Sequence, residues 1–460
     1  MATTHDGHGS DMGLFGGLLG WEAFDDRLPD SEQAIQDAGI HIAIEIVEIG
    51  FSHPNTYKIT LKNDKETRQV VAISTGGGMI EVIEIDGASV SMAGDYFETL
   101  VYVRSETKVL ELIEVSVEYD EVGLREGVAP FVEMKSQVPP SEVVCAQLEA
   151  MDDVIAVKVL SPVLPVLSRQ DLEVPFTNCE EMLEYNKDKD LVLWELAVHY
   201  ESARGNITGE EVFAKMAEIV GIMRTSINRG LEGTIYEDRI LGNQSVNFER
   251  QMKNKKLIEG DVLNRVIMYV TAMMEVKSSM GVIVAAPTAG SCGALPGAVL
   301  GVALNQPEEE AVKAMLAAGM IGVFISTGAT FAAEVGGCQA ECGSGSGMAA
   351  AAIVSLAAGT LAQSLSAASM ALQNSLGLIC DPIGNRVEAP CLGRNVQAAA
   401  NALSCANMAL ADYDHLIPLD QVIDTMDKVG ESIVPELRCT SLGGLSITPA
   451  SIDIEAKLKR

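Results

Sequence analysis

Aromatic side chains are scarce, making up 5% of the 460 residues with only 2 Trp. A core without them must rest on close contact between small residues, and 42 Gly with 20 Met point to a tightly packed, adaptable interior. Positive charge is equally short. With 32 basic against 64 acidic residues the formal net charge is −32, which excludes nucleic acid and anionic membrane as expected partners, because both would repel the chain. The 9 cysteines are too few, and odd in number, for a secreted disulfide framework. No Lys or Arg precedes Arg27, so a signal peptide is not expected. Two stretches, 315–333 and 349–379, carry no charge. They consist of Ala, Gly, Ser and Thr without flanking basic clusters or aromatic belts, and read as buried core helices rather than membrane spans. The expected compartment is a reducing cytoplasm, where cysteines serve metals or chemistry.

What is present is core-forming: 48% hydrophobic and 21% charged residues, with a mean hydropathy of +0.20. The length suits two or three domains. The first 165 or so residues read as mixed α and β. Ile42, Ile44, Ile46 and Ile49 nearly alternate, as do Tyr57, Ile59 and Leu61 before the turn Asn63-Asp64. Val70 to Ile73 lead into a glycine triplet at 76–78, and Ile80 to Ile85 lead to Asp86-Gly87. Further strands are expected over 100–103, 110–117 and 154–160, with Ser141 capping a helix before the last. Pro162, Pro165 and Pro175 mark a linker, and the pattern beyond about 176 is helical. There Thr208 and Glu211 form a capping box, and Leu263, Val266, Ile267, Val270, Met273 and Met274 recur at helical spacing.

Seven of the nine cysteines fall between Cys292 and Cys439. The sharpest set is Gly336-Gly337-Cys338, Cys380-Asp381-Pro382 and Ala389-Pro390-Cys391. Asp381-Pro382 is expected to end a helix carrying Cys380, and Pro390 to place Cys391 just before a helix that begins near Leu392. Thiols at helix termini can point into a cavity. Three of them without a C-x-x-C pattern suit an iron–sulfur cluster gathered from separate loops better than a structural zinc. Burial as small hydrophobes is the competing reading. Two glycine-rich loops, 287–293 and 343–347, offer backbone N–H groups to an anion such as a phosphate or carboxylate, or else serve close helix packing.

The stretches 285–297 (AAPTAGSCGALPG), 334–343 (EVGGCQAECG) and 380–395 (CDPIGNRVEAPCLGRN) resemble the iron–sulfur-dependent L-serine dehydratases. Upstream, 7–11 (GHGSD), 16–20 (GGLLG), 53–56 (HPNT) and 74–79 (STGGGM) resemble that family's β portion, here fused to the α portion. The Ser-Ser-His-Thr motif that opens the family's β portion has no counterpart, and the chain is expected to begin after it. The resemblance implies an α+β fold: a β portion over 1–94, an ACT-like regulatory module over 95–165 and an all-helical catalytic domain over 176–460. It also implies a 4Fe–4S cluster on Cys338, Cys380 and Cys391, with the fourth iron left for substrate. His8 would neighbour the reacting atoms as the catalytic residue, and Thr288, Gly290 and Ser291 would bind the substrate carboxylate. Cys439 stands where the family has an acidic residue, and could occupy the open iron at rest.

The expected activity is the deamination of L-serine to pyruvate and ammonia in a homo-oligomer, a dimer. Rival readings are a lyase for another β-substituted amino or hydroxy acid (threonine, cysteine) and a catalytically dead amino-acid sensor. Pyridoxal phosphate chemistry needs a lysine, and Lys277 is the one near a glycine-rich motif.

Overall fold

Eight strands lie within residues 56–160 of the computed structural model, and helices make up nearly all the regular structure beyond. The structure describes residues 5 and 9–458, apart from 48, 49, 52, 54, 77 and 165. The chain forms two units. One comprises Met1–Gly50, Pro175–Tyr200 and Thr208–Arg460, the other Phe51–Val174 and Glu201–Ile207.

In the smaller unit β1 (Thr56–Lys62), β2 (Thr67–Gly76), β3 (Met79–Ile85) and β4 (Ala88–Met92) form an antiparallel meander, in sequence order. The turn between β3 and β4 is Asp86-Gly87, as the sequence suggests, with Gly87 at φ 80°. A second antiparallel sheet contains β5 (Phe97–Val103), β6 (Glu121–Arg125), β7 (Phe131–Ser136) and β8 (Val154–Leu160), in the order β6-β7-β5-β8. Helices Thr107–Ser116 and Glu142–Glu149 follow β5 and β7, giving the split β-α-β-β-α-β arrangement. Ser141 caps the second helix, its hydroxyl accepting from Val144 N at 3.3 Å. Because strand side chains alternate, Val101, Val103, Val132 and Met134 face the two helices, against Val109, Ile113, Val144 and Leu148. Leu100, Tyr102 and Phe131 face the other way and share a core with Ile85, Ala88, Val90 and Met92 of the first sheet.

Two expected strands are not strands. Residues 110–117 belong instead to helix Thr107–Ser116, where Val109 and Ile113, four apart, are both 0% exposed. A short apolar run rich in β-branched residues fits either period, and the packing against the sheet selects the helical one. The described part of 42–49 lies in no sheet, and Ile44, Ile46 and Val47 are exposed. Alternation gives a strand its two faces but no partner for its backbone.

The larger unit contains helices packed backbone to backbone. Thr208 and Glu211 form the reciprocal capping box at the start of helix Gly209–Glu232. Helix Ser344–Leu356 lies in the middle, against Ala294–Val302, Glu308–Gly328, Leu361–Gln373 and Cys391–Leu410. Its Ala349, Ala350, Ala351 and Ala352 are all 0% exposed, which explains where the alanine goes. Helix Glu308–Gly328 is, among the described residues, the one long and apolar enough to cross a membrane, and 67% of its most apolar window is buried. The 349–379 stretch is broken, with helices ending at Leu356 and Gln373.

Gly230 shows how tight the packing is: a Cβ there would stand 2.3 Å from Ala272 O of the neighbouring helix. Gly221, on the same helix, would meet nothing within 4 Å. Gly230→Ala is therefore expected to lower stability by about 1–3 kcal/mol through overpacking. Gly221→Ala should be neutral or stabilising by up to about 1 kcal/mol. Denaturant unfolding of the two variants side by side checks this.

Candidate active site

The loop before helix Ala294–Val302 is held by its own hydroxyls. Thr288 Oγ1 and Ser291 Oγ lie 3.0 Å apart, and each accepts from the other's backbone N–H, at 3.1 and 3.3 Å. Thr288 is 5% and Ser291 0% exposed. Beneath the loop Asn395, also 0% exposed, bonds to four backbone groups. Its Oδ1 accepts from Gly293 N and Ala294 N at 3.2 and 2.9 Å, and its Nδ2 donates to Gly290 O and Cys391 O at 2.8 and 2.9 Å. One amide thus fixes the loop against the start of helix Cys391–Leu410.

Glu341 lies over the same loop and accepts a 2.7 Å hydrogen bond from Thr288 Oγ1. A Cβ on Gly290 would come within 2.6 Å of Glu341 Oε1, so only glycine lets the loop approach the carboxyl this closely. Burial pushes the Glu341 pKa up to about 7, against the lowering effect of the Thr288 hydrogen bond. The carboxyl can therefore hold or release a proton near neutrality.

Five buried thiols converge beside this loop. Cys338 precedes the single π-turn Gln339–Gly343, and the wide turn brings the Cys342 thiol into a hydrogen bond with that of Cys338. Cys380 lies on an isolated β-bridge to Arg438. Its N–H donates to Leu437 O and its carbonyl accepts from Cys439 N, both at 2.8 Å. This strand-like pairing sets the Cys439 thiol against the Cys380 thiol. Cys391 is the first residue of helix Cys391–Leu410, behind Pro390. Its thiol is pushed up by burial and then by the nearby Cys338, and those of Cys342 and Cys380 are pushed up first by their thiol partners and then by burial.

Asp381, 2% exposed, joins these segments. It accepts from Leu445 N at 2.7 Å and pairs with the Arg394 guanidinium. Gly444 beside it sits at φ 60°, and a Cβ there would meet Asp381 Oδ2 at 2.4 Å. Arg394 Nη1 is buried with no hydrogen-bond partner, in electrostatic reach of Cys338 and Cys380.

These features fit an iron–sulfur cluster. No three His, Cys, Asp or Glu side chains among the described residues are close enough to share one metal ion. The thiols are nevertheless gathered, buried and faced by an unsatisfied guanidinium, which suits a negatively charged group with several metal atoms. A cleft of about 560 Å³ passes beside them, lined by Cys342, Ser375, Gly377 and Arg394 among others. A larger one, about 980 Å³, is lined by His5, Asp11, Glu32 and His41 and by Gly384, Asn385 and Arg386 of the Cys380–Cys391 connection. Asn385 Oδ1 there is buried and unpartnered.

The structure therefore brings Cys338, Cys380 and Cys391 together and adds Cys342 and Cys439. It sets Thr288, Gly290 and Ser291 in one loop beside Glu341. His8 lies outside the described residues; His5 and Asp11, on either side of it in sequence, are paired at 2.8 Å. Cys380 is on no helix, contrary to expectation: the preceding helix ends at Gln373, and the Cys380 backbone bonds to the 437–439 segment instead. Lys277 donates to Val387 O rather than standing free. Glu341, Cys342 and Asn395 were not singled out from sequence. The four-residue spacing of Cys338 and Cys342 was the available signal for the second, and nothing local distinguishes the other two.

The sequence profile of the family described as "Serine dehydratase alpha chain" matches residues 188–446, more than half of the chain. The chain belongs to this family. Over 285 residues it is 38% identical to the probable L-serine dehydratase alpha chain of Bacillus subtilis, covering 62% of this chain and 95% of that one. Against the L-serine dehydratase alpha chain of Peptoniphilus asaccharolyticus it is 36% identical over 269 residues, 58% of this chain and 92% of that one. It is also 34% identical over 282 residues to L-serine dehydratase TdcG of Escherichia coli, with 59% of this chain and 62% of that protein covered. The family match contains all five converging thiols, the Thr288 loop and Asn395.

Asn395→Ala is expected to destabilise this unit by about 2–4 kcal/mol, because it leaves buried backbone donors and acceptors unmet. Denaturant unfolding measures the loss, and amide hydrogen exchange should locate it at 290–294.

Proposed function

We propose that the chain deaminates L-serine to pyruvate and ammonia by β-elimination of water, using a 4Fe–4S cluster held by Cys338, Cys380 and Cys391. The observation that carries the reading is the convergence of buried thiols beside the Thr288 loop in a chain of the serine dehydratase family. The relatives' names, L-serine dehydratase, support the substrate. Such a cluster supplies a Lewis acid for the carboxylate and β-hydroxyl of serine, whose α-proton is weakly acidic and whose hydroxide leaves poorly.

The chain's own residues supply the rest. Thr288, Gly290 and Ser291 bind the substrate carboxylate from a loop that Asn395 holds rigid. His8, the active-site neighbour that the family resemblance implies, is our candidate for the base that takes the α-proton. Glu341, titrating near neutrality, holds a proton within reach of Thr288 Oγ1. Loss of water leaves aminoacrylate, which hydrolyses in solution to pyruvate and ammonia. The closeness of the Cys439 and Cys380 thiols supports reading Cys439 as a residue that would hold the open position of such a cluster in the absence of substrate. The β6-β7-β5-β8 order with two helices on one face supports an ACT-like regulatory reading of 95–165. Free cysteines throughout the described chain suit a reducing cytoplasm.

Anaerobically isolated protein is expected to be brown and to carry about four irons and four sulfides per chain. Changing Cys338, Cys380 or Cys391 to Ser should abolish that absorption, whereas Cys145→Ser, Cys179→Ser and Cys405→Ser should keep it. Cys439→Ser should retain iron but bleach faster in air. Colourless protein that stays fully active after chelation of iron, or bleaching by Cys405→Ser but not Cys380→Ser, would overturn the assignment. Separately, His8→Ala should lower serine turnover by about 10²–10⁴-fold at unchanged iron content, the range for removing a general base. Steady-state pyruvate formation paired with iron analysis reads both.

A further inference from the structure

Arg394 carries a charged nitrogen that its hydrogen-bond partners leave unmet. It is the fourth residue of helix Cys391–Leu410, which has no acidic residue in its first turn. A cation there opposes the helix dipole, so the position is unfavourable unless negative charge stands close by. Asp381 supplies part of that charge. Its Oδ1 pairs with Arg394 Nη2, while its Oδ2 accepts from Leu445 N at 2.7 Å. The guanidinium is planar, so holding Nη2 also fixes where Nη1 lies. Nη1 is buried without a hydrogen-bond partner, on a side chain only 12% exposed.

A buried charged donor left unmet is costlier than a neutral one, and native interiors rarely keep one. The two other arginines of these segments are occupied: Arg386 pairs with Asp238, and Arg438 donates to Ile433 O and Glu431 O. Around Arg394 there is sulfur. Cys338 and Cys380 lie within its electrostatic reach, and it shares a cleft wall with Cys342 and Ala398, which pack in one cluster with those two cysteines. A neutral thiol is a poor acceptor. A metal-bound thiolate or a sulfide is negatively charged and a better one, so Nη1 matches the loaded form of the site.

We propose that Arg394 Nη1 donates a hydrogen bond to a sulfur of the cluster, a ligating thiolate or a sulfide, and thereby raises the cluster's reduction potential. This rests on the cluster reading given above. A donor on sulfur stabilises the more negative, reduced state and makes oxidation in air harder. It also draws electron density from iron, which strengthens the Lewis acid that serine meets.

The test is a redox titration of anaerobic holoenzyme followed by electron paramagnetic resonance. Arg394→Lys keeps a positive partner for Asp381 but replaces the planar fork with a single ammonium. The variant is expected to hold its iron, to bleach faster in air, and to be about tenfold or more harder to reduce. For one electron that is a midpoint lower by about 59 mV or more. An unchanged midpoint overturns the proposal. An unchanged midpoint with a KM for serine about tenfold higher overturns it as well, and assigns the nitrogen to the substrate carboxylate. If Arg394→Lys fails to fold by circular dichroism or loses its iron, unsubstituted holoenzyme grown with nitrogen-15-labelled arginine decides. Pulsed paramagnetic resonance of its reduced cluster should resolve a nitrogen-15 coupling, and the absence of one overturns the proposal. Unsubstituted protein without iron overturns the cluster reading and this inference with it, whereas iron with an unchanged midpoint in the variant overturns this inference alone.

Discussion

The buried carboxylate of Asp381 holds the candidate site together. It follows Cys380 directly, pairs with Arg394 from the first turn of the helix that Cys391 begins, and accepts the N–H of Leu445, six residues beyond Cys439. Three thiols on separate segments thereby share one anchor. Such an ion pair costs desolvation and contributes little net stability against an apolar replacement, so its value lies in fixing geometry. Losing one partner would leave the other charged and buried, and the three segments would no longer share a reference point.

That anchor works because the helices around it approach closely. Alanine and glycine at the contacts of Ser344–Leu356, and Gly290 against Glu341, bring backbones and carboxyls to distances larger residues forbid. The scarcity of aromatics and the abundance of small residues are thus two sides of one packing solution. The thiols gathered in this interior face a guanidinium that Asp381 pairs with but leaves with one nitrogen free of hydrogen bonds.

Much of this was legible in the sequence. The β1–β2–β3 run was readable because its apolar stretches are bracketed by Asn63-Asp64, a glycine triplet and Asp86-Gly87, and the Thr208 capping box because its two residues sit three apart. Cys338, Cys380 and Cys391 stood out through glycine and proline neighbours, which reshape the backbone. What failed had no local cause. The 110–117 run became helical through packing on a sheet that is assembled elsewhere, and Cys380 left its expected helix because its backbone pairs with residues nearly sixty positions on. Glu341 and Asn395 act through partners 53 and about 105 residues away in sequence, which no window along the chain can see.

The larger unit is discontinuous: its first fifty residues are separated from the remainder by the Phe51–Val174 part of the smaller unit. During synthesis those residues emerge first but find their neighbours last. The smaller unit, contiguous except for one short segment, can close its two sheets while the ribosome is still making the helices. The opening stretch, with Ile44, Ile46 and Val47 uncovered even in the finished fold, must wait through that interval with little apolar surface to bury against. Order of emergence and order of assembly are inverted here, and the interval between them is when this chain is most exposed to chaperone capture or to pairing with a neighbouring copy.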